Sequence, residues 1–331
     1  MTRLITRGFE SGVLSDESDS QSGTNMETTV VRTGVRSVRF GSNGDWISWG
    51  IPSTDQVFLG GAHRLSGSLP TNNNHSIYRF VSSDSLIAIR LHDNGSVHFY
   101  RGNTDLAGSD PNVIVPDAWQ YFEIWVLLAN SGGRVQIKVD GVQIIDFTGD
   151  TLEGSSVDVI TVFIRGLQSR TNYHDDVVIN DDAGAINNTF PGIISLVPLL
   201  PTAAGFATEL QRGGTDSGAN WDQCNEVPAD AVSYVFDTVV DDRDLFNIED
   251  LTLPAGALIK NVIVQARCQI DSGSGNVAVM VRSGSTEDQS SDQILSAGWN
   301  LFQHLMDVNP DDSLAWEDAD VDALQIGIKV R

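Results

Sequence analysis

Apolar and polar residues alternate along much of the chain, and this pattern predicts β-strands. In residues 135–139, three branched side chains alternate with Gln136 and Lys138, so one face of the segment is apolar. Asp140-Gly141 follows, a dipeptide that accepts positive φ at low cost, and the chain then returns through residues 142–147. The pattern therefore predicts a β-hairpin closed by a type I′ turn.

A second hairpin is predicted around Asp93-Asn94-Gly95. Apolar residues alternate into it through residues 87–91 and out of it through residues 97–99, so we expect a three-residue loop with Gly95 in the left-handed region. Further strands are predicted at the segments 122–128, 157–165 and 177–179. No segment has convincing periodicity for a helix of three turns, and a turn or two near residues 290–295 is the best helical candidate.

The alternation is interrupted once and then resumes to the C-terminus. Residues 187–213 contain Pro191, Pro198 and Pro201, which remove backbone donors and restrict their neighbours. The last strand is the clearest, with apolar residues at every second position from Leu324 to Val330. We therefore predict an all-β chain with two β-sandwich or jelly-roll domains, residues 1–190 and 214–331, joined by a proline-containing linker at residues 191–213.

Length and charge narrow the classes of function. The 331 residues exceed what one core usually organises, and the formal charge of −24, larger in the second half, disfavours nucleic acid as a partner. No stretch is long and apolar enough for membrane insertion, and the N-terminus lacks a signal core, so we expect folding in the cytoplasm. Cys224 and Cys268 are too few for a disulfide framework, and the sequence leaves open whether they pair.

Catalytic motifs are not evident in the sequence. Glycosidases need two carboxyl groups on one site, whereas Glu123 is isolated among apolar residues. The six histidines have no nucleophile motif beside them. These observations predict a protein that is not an enzyme.

Two metal hypotheses follow from clustered ligand types. Calcium prefers oxygen ligands, which Asp175, Asp176 and Asp181 could supply, although solvated acidic turns explain the same residues in so acidic a chain. His92 and His98 flank the second predicted hairpin and could face each other as a two-histidine corner, with no third ligand evident in the sequence. No other cofactor is expected.

A contact surface for glycans is a further hypothesis. Exposed tryptophan rings stack on sugars and amides hydrogen-bond to them, but a tryptophan in a sandwich is more often part of the core. The segment around residues 70–75 is polar and rich in turn residues, as exposed contact loops are. The candidate residues are Trp46, Trp49, Asn72, Asn73, Asn74 and His75.

Longer motifs resemble known families. Gly8-Phe9-Glu10, Trp119-Gln120-Tyr121-Phe122-Glu123-Ile124 and the Val139-Asp140-Gly141-Val142 hairpin occur in the order of a concanavalin A-like (laminin-G-like) jelly roll. The second half, with Asn225-Glu226-Val227-Pro228 and Leu324-Gln325-Ile326-Gly327-Ile328-Lys329, resembles structural proteins of tailed bacteriophages.

This resemblance implies a non-enzymatic component of a phage virion, in the tail, in a fibre or as a decoration of the capsid surface. The expected partners are other virion proteins, and a homo-oligomer, with a trimer favoured, is expected to mediate assembly. The alternative is a receptor-recognition module of the tail that binds a host surface glycan.

Overall fold

A computed structural model describes residues 3–42, 44–71, 75–167, 170–214 and 218–331. The described chain is almost entirely antiparallel β-structure with two α-helices of one turn, so the all-β prediction is confirmed. It divides into two compact units, Met1–Val197 and Pro198–Arg331. Among the described residues, no helix combines the length and apolar character that crossing a membrane requires.

The described residues of the first unit form fifteen strands and one short helix. In chain order these are β1 Arg3–Arg7, α1 Leu14–Glu17, β2 Ser20–Ser22, β3 Asn25–Glu27, β4 Ser37–Phe40, β5 Trp46–Thr54, β6 Gln56–Leu65, β7 His75–Val81, β8 Leu86–Leu91, β9 Val97–Arg101, β10 Thr104–Gly108, β11 Trp119–Leu127, β12 Gly133–Val139, β13 Val142–Gly149, β14 Val159–Arg165 and β15 Asn172–Asn180.

Two sheets enclose the core of this unit. The first sheet has the order β13-β12-β11-β6-β15-β4-β3, with β1 added on β15, and the second sheet has the order β10-β9-β8-β7-β14-β5-β2. One cluster of buried side chains draws on both sheets, for example Leu59 and Phe122 from the first and Ile89 and Phe99 from the second. Because strand residues alternate between faces, the polar residues between these positions lie on the outer faces.

Both predicted hairpins are present in the first unit. β12 and β13 are joined by Asp140 and Gly141, whose φ values of 50° and 78° are those of a type I′ turn. β8 and β9 are joined around Gly95, which has φ 78°. Local turn chemistry was therefore sufficient to predict these two elements.

The predicted linker is divided between the two units. Ile194 and Leu196 pack with Tyr121 and Val178 on the outer face of the first sheet, so the start of the segment belongs to the first unit. The backbone N–H of Gly192 donates to Glu123. Residues further on form strand β16, Pro201–Thr208, which pairs in the second unit. This packing explains the apolar side chains of Ile194 and Leu196, whereas Ile193 and Val197 are exposed.

The second unit contains the remaining elements. In chain order they are β16, β17 Gln211–Gly214, a 3₁₀ turn Asn220–Gln223, β18 Ser233–Phe236, β19 Arg243–Ile248, β20 Val262–Cys268, β21 Asn276–Ser283, β22 Thr286–Gln289, β23 Gln293–Ile294, β24 Asn300–Met306, α2 Asp318–Asp322 and β25 Gln325–Val330.

A sheet of order β16-β19-β25-β21-β22, with β23 on β21, organises the second unit. The C-terminal strand β25, which the alternation predicted as a strand, is central in this sheet. The helical candidate at residues 290–295 is wrong, because residues 293 and 294 pair with β21 as strand β23. Among the described residues of this unit, the α-helix is α2. It begins with a capping box that Glu317 and Asp320 form. Cys224 and Cys268 are both free.

Candidate functional site on the outer face of the second sheet

Three arginines project from neighbouring strands onto the outer face of the second sheet. Arg79 on β7, Arg90 on β8 and Arg165 on β14 each alternate with side chains that are buried in the core. All three are half-buried. We call this surface, defined by the three arginines and their cross-strand neighbours, the arginine face.

Strand pairing arranges the arginine face in two rows that run across the strands. Arg165 lies opposite Trp46, while Arg90 lies opposite both Ser76 and His98. These residues form the first row. The second row is formed by Ser48, Phe163, Arg79, Ala88, Tyr100 and Asp105, each of which is the cross-strand partner of the next.

The rows have the dimensions of a site for a linear polymer. Five strands, β5, β14, β7, β8 and β9, contribute to both rows, and the second row continues onto β10. Neighbouring strands are about 4.8 Å apart, so the five shared strands span about 19 Å. One sugar unit of an extended chain advances by a distance similar to the strand spacing. A polysaccharide lying across the strands would therefore present about one sugar to each strand.

Positive charge is concentrated on this face of an otherwise acidic chain. Burial lowers the pKa of Arg79 to about 10, and the nearby positive charges of Arg165 and Arg90 contribute to the same shift. The Nε of Arg79 is buried and, within the described residues, has no hydrogen-bond partner. An anion at this place would supply the missing acceptor and relieve the repulsion between the arginines.

Aromatic rings lie at both ends of the arginine array. Trp46 and Phe163 contact each other edge to face at 5.6 Å between ring centroids. At the other end, the guanidinium of Arg90 lies 4.0 Å from the centre of the Tyr100 ring. This stacking fixes the direction of the guanidinium, one terminal nitrogen of which donates to the carbonyl of Gly102 and to the side chain of Asn103.

Tyr100 places a phenol hydroxyl on this face. Its hydroxyl lies 3.1 Å from Nε2 of His92. Burial raises the pKa of Tyr100, and the carboxylate of Asp105 raises it further, so the phenol keeps its proton at neutral pH. The position of Tyr100, next to Arg90, places this donor where a charged ligand would be held.

The predicted glycan residues have different locations. Trp46 lies on the arginine face, opposite Arg165. Trp49 does not, because its side chain is completely buried in the core and its indole N–H donates to the carbonyl of Glu17, so Trp49 cannot stack on a sugar. His75 begins β7 and is buried; burial and then Arg90 lower its pKa. Asn72, Asn73 and Asn74 lie outside the described residues.

The predicted calcium ligands are separated into two environments. The carboxylates of Asp175 and Asp176 are completely buried, where Asp176 forms an ion pair with Arg32 and accepts the backbone N–H of Leu196. Asp181 instead accepts the N–H of Ala183 in an adjoining turn. Among the described residues, these three aspartates do not form a cluster with metal-ligand spacing. Their main contacts are protein donors.

Arg79, Arg90 and Arg165 were not singled out from the sequence, although a signal was present. Each occupies a polar position within an alternating strand, and two of those strands were predicted. Sequence alone does not give the pairing order β8-β7-β14 or its register, so nothing indicated that the three side chains share one face.

Comparisons with known proteins find only distant structural similarities. No family model matches the chain, and no curated protein matches it. A cellulose-induced protein, Cip1, is similar in structure with 17% identity and a TM-score of 0.39, over 53% of this chain and 96% of that one. An endo-β-1,4-glucuronan lyase from the fungus Trichoderma reesei is similar with 16% identity and a TM-score of 0.39, over 53% of this chain and 94% of that one.

A sialidase from Trypanosoma rangeli is also similar, with 11% identity, a TM-score of 0.36, and coverage of 47% of this chain and 27% of that one. These similar structures include enzymes that act on carbohydrates. The expectation of a non-enzymatic virion structural protein, with a tail receptor-recognition module as its alternative, is therefore wrong. Since identity and TM-score are both low, the function proposed below rests on the residues of this chain.

Proposed function

We propose that the chain is a carbohydrate-active protein whose arginine face binds an acidic polysaccharide. The observation that carries the proposal is the convergence of Arg79, Arg90 and Arg165 from three adjacent strands onto one face of a protein with a net charge of −24. Like charges are held together here at a cost in stability, and a bound polyanion offsets that cost.

A chain of uronate sugars fits the pattern better than a neutral glycan does. Each uronate carries one carboxylate, which an arginine binds with two parallel hydrogen bonds. The ring faces of the sugars can lie against Trp46 and Phe163 at one end of the rows. Nucleic acid is also a polyanion, but the field of the whole acidic protein opposes its denser charge.

The test compares two polymers and two variants. Affinity for a β-1,4-linked glucuronate oligomer and for the corresponding glucose oligomer, which lacks only the carboxylates, is measured by calorimetry. Wild-type protein should bind the glucuronate oligomer alone. Arg79→Gln should weaken binding roughly 10- to 100-fold, because a charge-assisted hydrogen bond contributes about 1.5–3 kcal/mol.

Arg134→Gln is the matched control. Arg134 lies on β12 of the first sheet, carries the same charge and is already paired with Asp146, so its loss should leave the affinity nearly unchanged. Thermal melting of both variants checks that they are folded. The proposal would be contradicted if both variants lost the same affinity for the glucuronate oligomer, or if the wild-type protein bound the two polymers equally.

Cleavage is assayed in the same preparations. Breaking a glycosidic bond requires a proton on the departing oxygen, and Tyr100 is placed to supply one. Depolymerisation of the glucuronate oligomer is followed by the new chain ends, which are separated by chromatography. Shortened products would make the protein an enzyme; binding without shortening would make it a binding module for the same polymer.

A further inference from the structure

A compact group of metal-ligand side chains lies at the edge of the second sheet. The ligand atoms of His92, His98 and Asp105 all lie within 4.8 Å of one another. Within the part of the chain that the structure describes, no other three histidine, cysteine, aspartate or glutamate residues meet this spacing. From the sequence, His92 and His98 were predicted to face each other, but no third ligand was evident. The third ligand, Asp105, lies on the next strand, β10.

The hairpin between β8 and β9 holds the histidines in place. The N–H of His92 donates to the carbonyl of Ser96, and the N–H and hydroxyl of Ser96 both donate to the side chain of Asn94. The two imidazole rings are stacked with centroids 3.6 Å apart and planes 11° from parallel. His98 contacts Asp105 through Nδ1 at 2.9 Å and the hydroxyl of Ser96 through Nε2 at 2.9 Å.

We propose that His92, His98 and Asp105 bind a divalent transition-metal ion, with Zn²⁺ as the first candidate. Two imidazoles and one carboxylate are a ligand set that zinc accepts, whereas calcium and magnesium prefer oxygen ligands alone. Three protein ligands leave a fourth position for water or an oxygen of a ligand.

The chemistry of the three side chains suits metal binding. Each imidazole offers one ring nitrogen and Asp105 offers a carboxylate oxygen, and these atoms are already close together. The carboxylate of Asp105 is close enough to offset part of the charge of the ion.

Metal binding requires a small local rearrangement. A metal ion lies in the plane of each imidazole that binds it, so two stacked rings must rotate apart to share one ion. The hydroxyls of Tyr100 and Ser96 then lose their contacts with the ring nitrogens. Because Tyr100 belongs to the arginine face, the open position of the metal would be next to that face.

The test uses the full chain, purified without a polyhistidine tag and treated with chelator. Zn²⁺ binding is measured by calorimetry, and Co²⁺ is added as a spectroscopic substitute whose absorption reports the coordination number. We expect one ion per chain. His98→Ala and Asp105→Asn should each weaken binding by at least the roughly 10- to 100-fold that loss of an outer-shell partner causes.

His304→Ala is the control. His304 contacts the carboxylate of Asp288 at 3.0 Å, but among the described residues it does not belong to a group of three metal-ligand side chains. The variant should bind one ion with wild-type affinity. Absence of binding to the wild-type chain, or an equal effect of His304→Ala, overturns the proposal. The inference does not depend on the proposed function: metal binding is measured without glycan, and glycan binding is measured in chelator.

Discussion

His63 and His174 are buried side by side in the core of the first unit, where Nε2 of His174 contacts the side-chain amide of Asn172 at 3.2 Å. Their rings lie 5.0 Å apart, among Phe40, Tyr78 and Phe122. Neither ring nitrogen of His63 has a hydrogen-bond partner among the described residues. Burial lowers the pKa of His63 to about 3. Both residues therefore stay neutral in the folded protein.

This pair predicts a loss of stability in acid. In the unfolded chain a histidine has a pKa of about 6.5, so as pH falls below that value the unfolded state binds a proton that the folded state excludes. The free energy of unfolding then falls by up to ~1.4 kcal/mol per pH unit for each histidine. This loss of stability is absent above pH 6.5. For His63 it continues down to the pKa of the folded state, which is about 3.

His63→Leu should remove one such contribution. At pH 7 we expect the variant to be more stable by about 1–3 kcal/mol, because an unsatisfied polar group leaves the core. Between pH 6 and pH 4 its free energy of unfolding should fall less steeply than that of the wild type. Urea titrations at several pH values measure both quantities. Parallel pH profiles of the two proteins would show that His63 takes up a proton in the folded state as well.

At the scale of single elements, hairpins followed from local sequence. Asp140 and Gly141 have the positive φ values that the type I′ turn requires. The identities of these two residues were enough to predict the turn. The same holds for β25, whose alternation places Leu324 and Ile326 in the core of the second unit. Elements defined by pairing were harder to predict: residues 293 and 294 extend along β21 although their local pattern suggested a helical turn.

Gly141→Ala tests the backbone contribution of the turn by itself. A Cβ at this position meets nothing within 4 Å, so the change adds no clash and acts through the φ of 78°. We expect a destabilisation of about 1 kcal/mol, measured by thermal melting of the first unit. Gly44→Ala in the same unit meets only the Ser42 hydroxyl at 3.6 Å, and Gly44 has no positive φ. It should change stability little.

At the scale of the whole molecule, the arginine face and the proposed metal ligands all belong to the unit Met1–Val197. A protein truncated after Val197 should therefore fold and bind the glucuronate oligomer with the affinity of the full chain, because its core is complete within that unit. Circular dichroism and calorimetry check the two parts of this prediction. A folded fragment with much weaker binding would mean that the second unit contributes to the site.

Other expectations at this scale stay predictions. The resemblance to tailed-phage proteins implies a virion location, virion partners and a homo-oligomer, with a trimer favoured. Light scattering of the purified chain measures the oligomeric state directly. A closed oligomer would repeat the arginine face by symmetry, and several weak sites on one polymer would then bind more tightly than one.

The sequence by itself determined the all-β class, the two hairpins and the existence of the C-terminal strand. These depend on alternation and on turn residues, which act over a few neighbouring positions. The tertiary structure decided the rest: the alignment of Arg79, Arg90 and Arg165 across three strands, the approach of Asp105 to His92 and His98, and the burial of Trp49. Strand order and register bring together residues distant in the chain, and no local pattern encodes them.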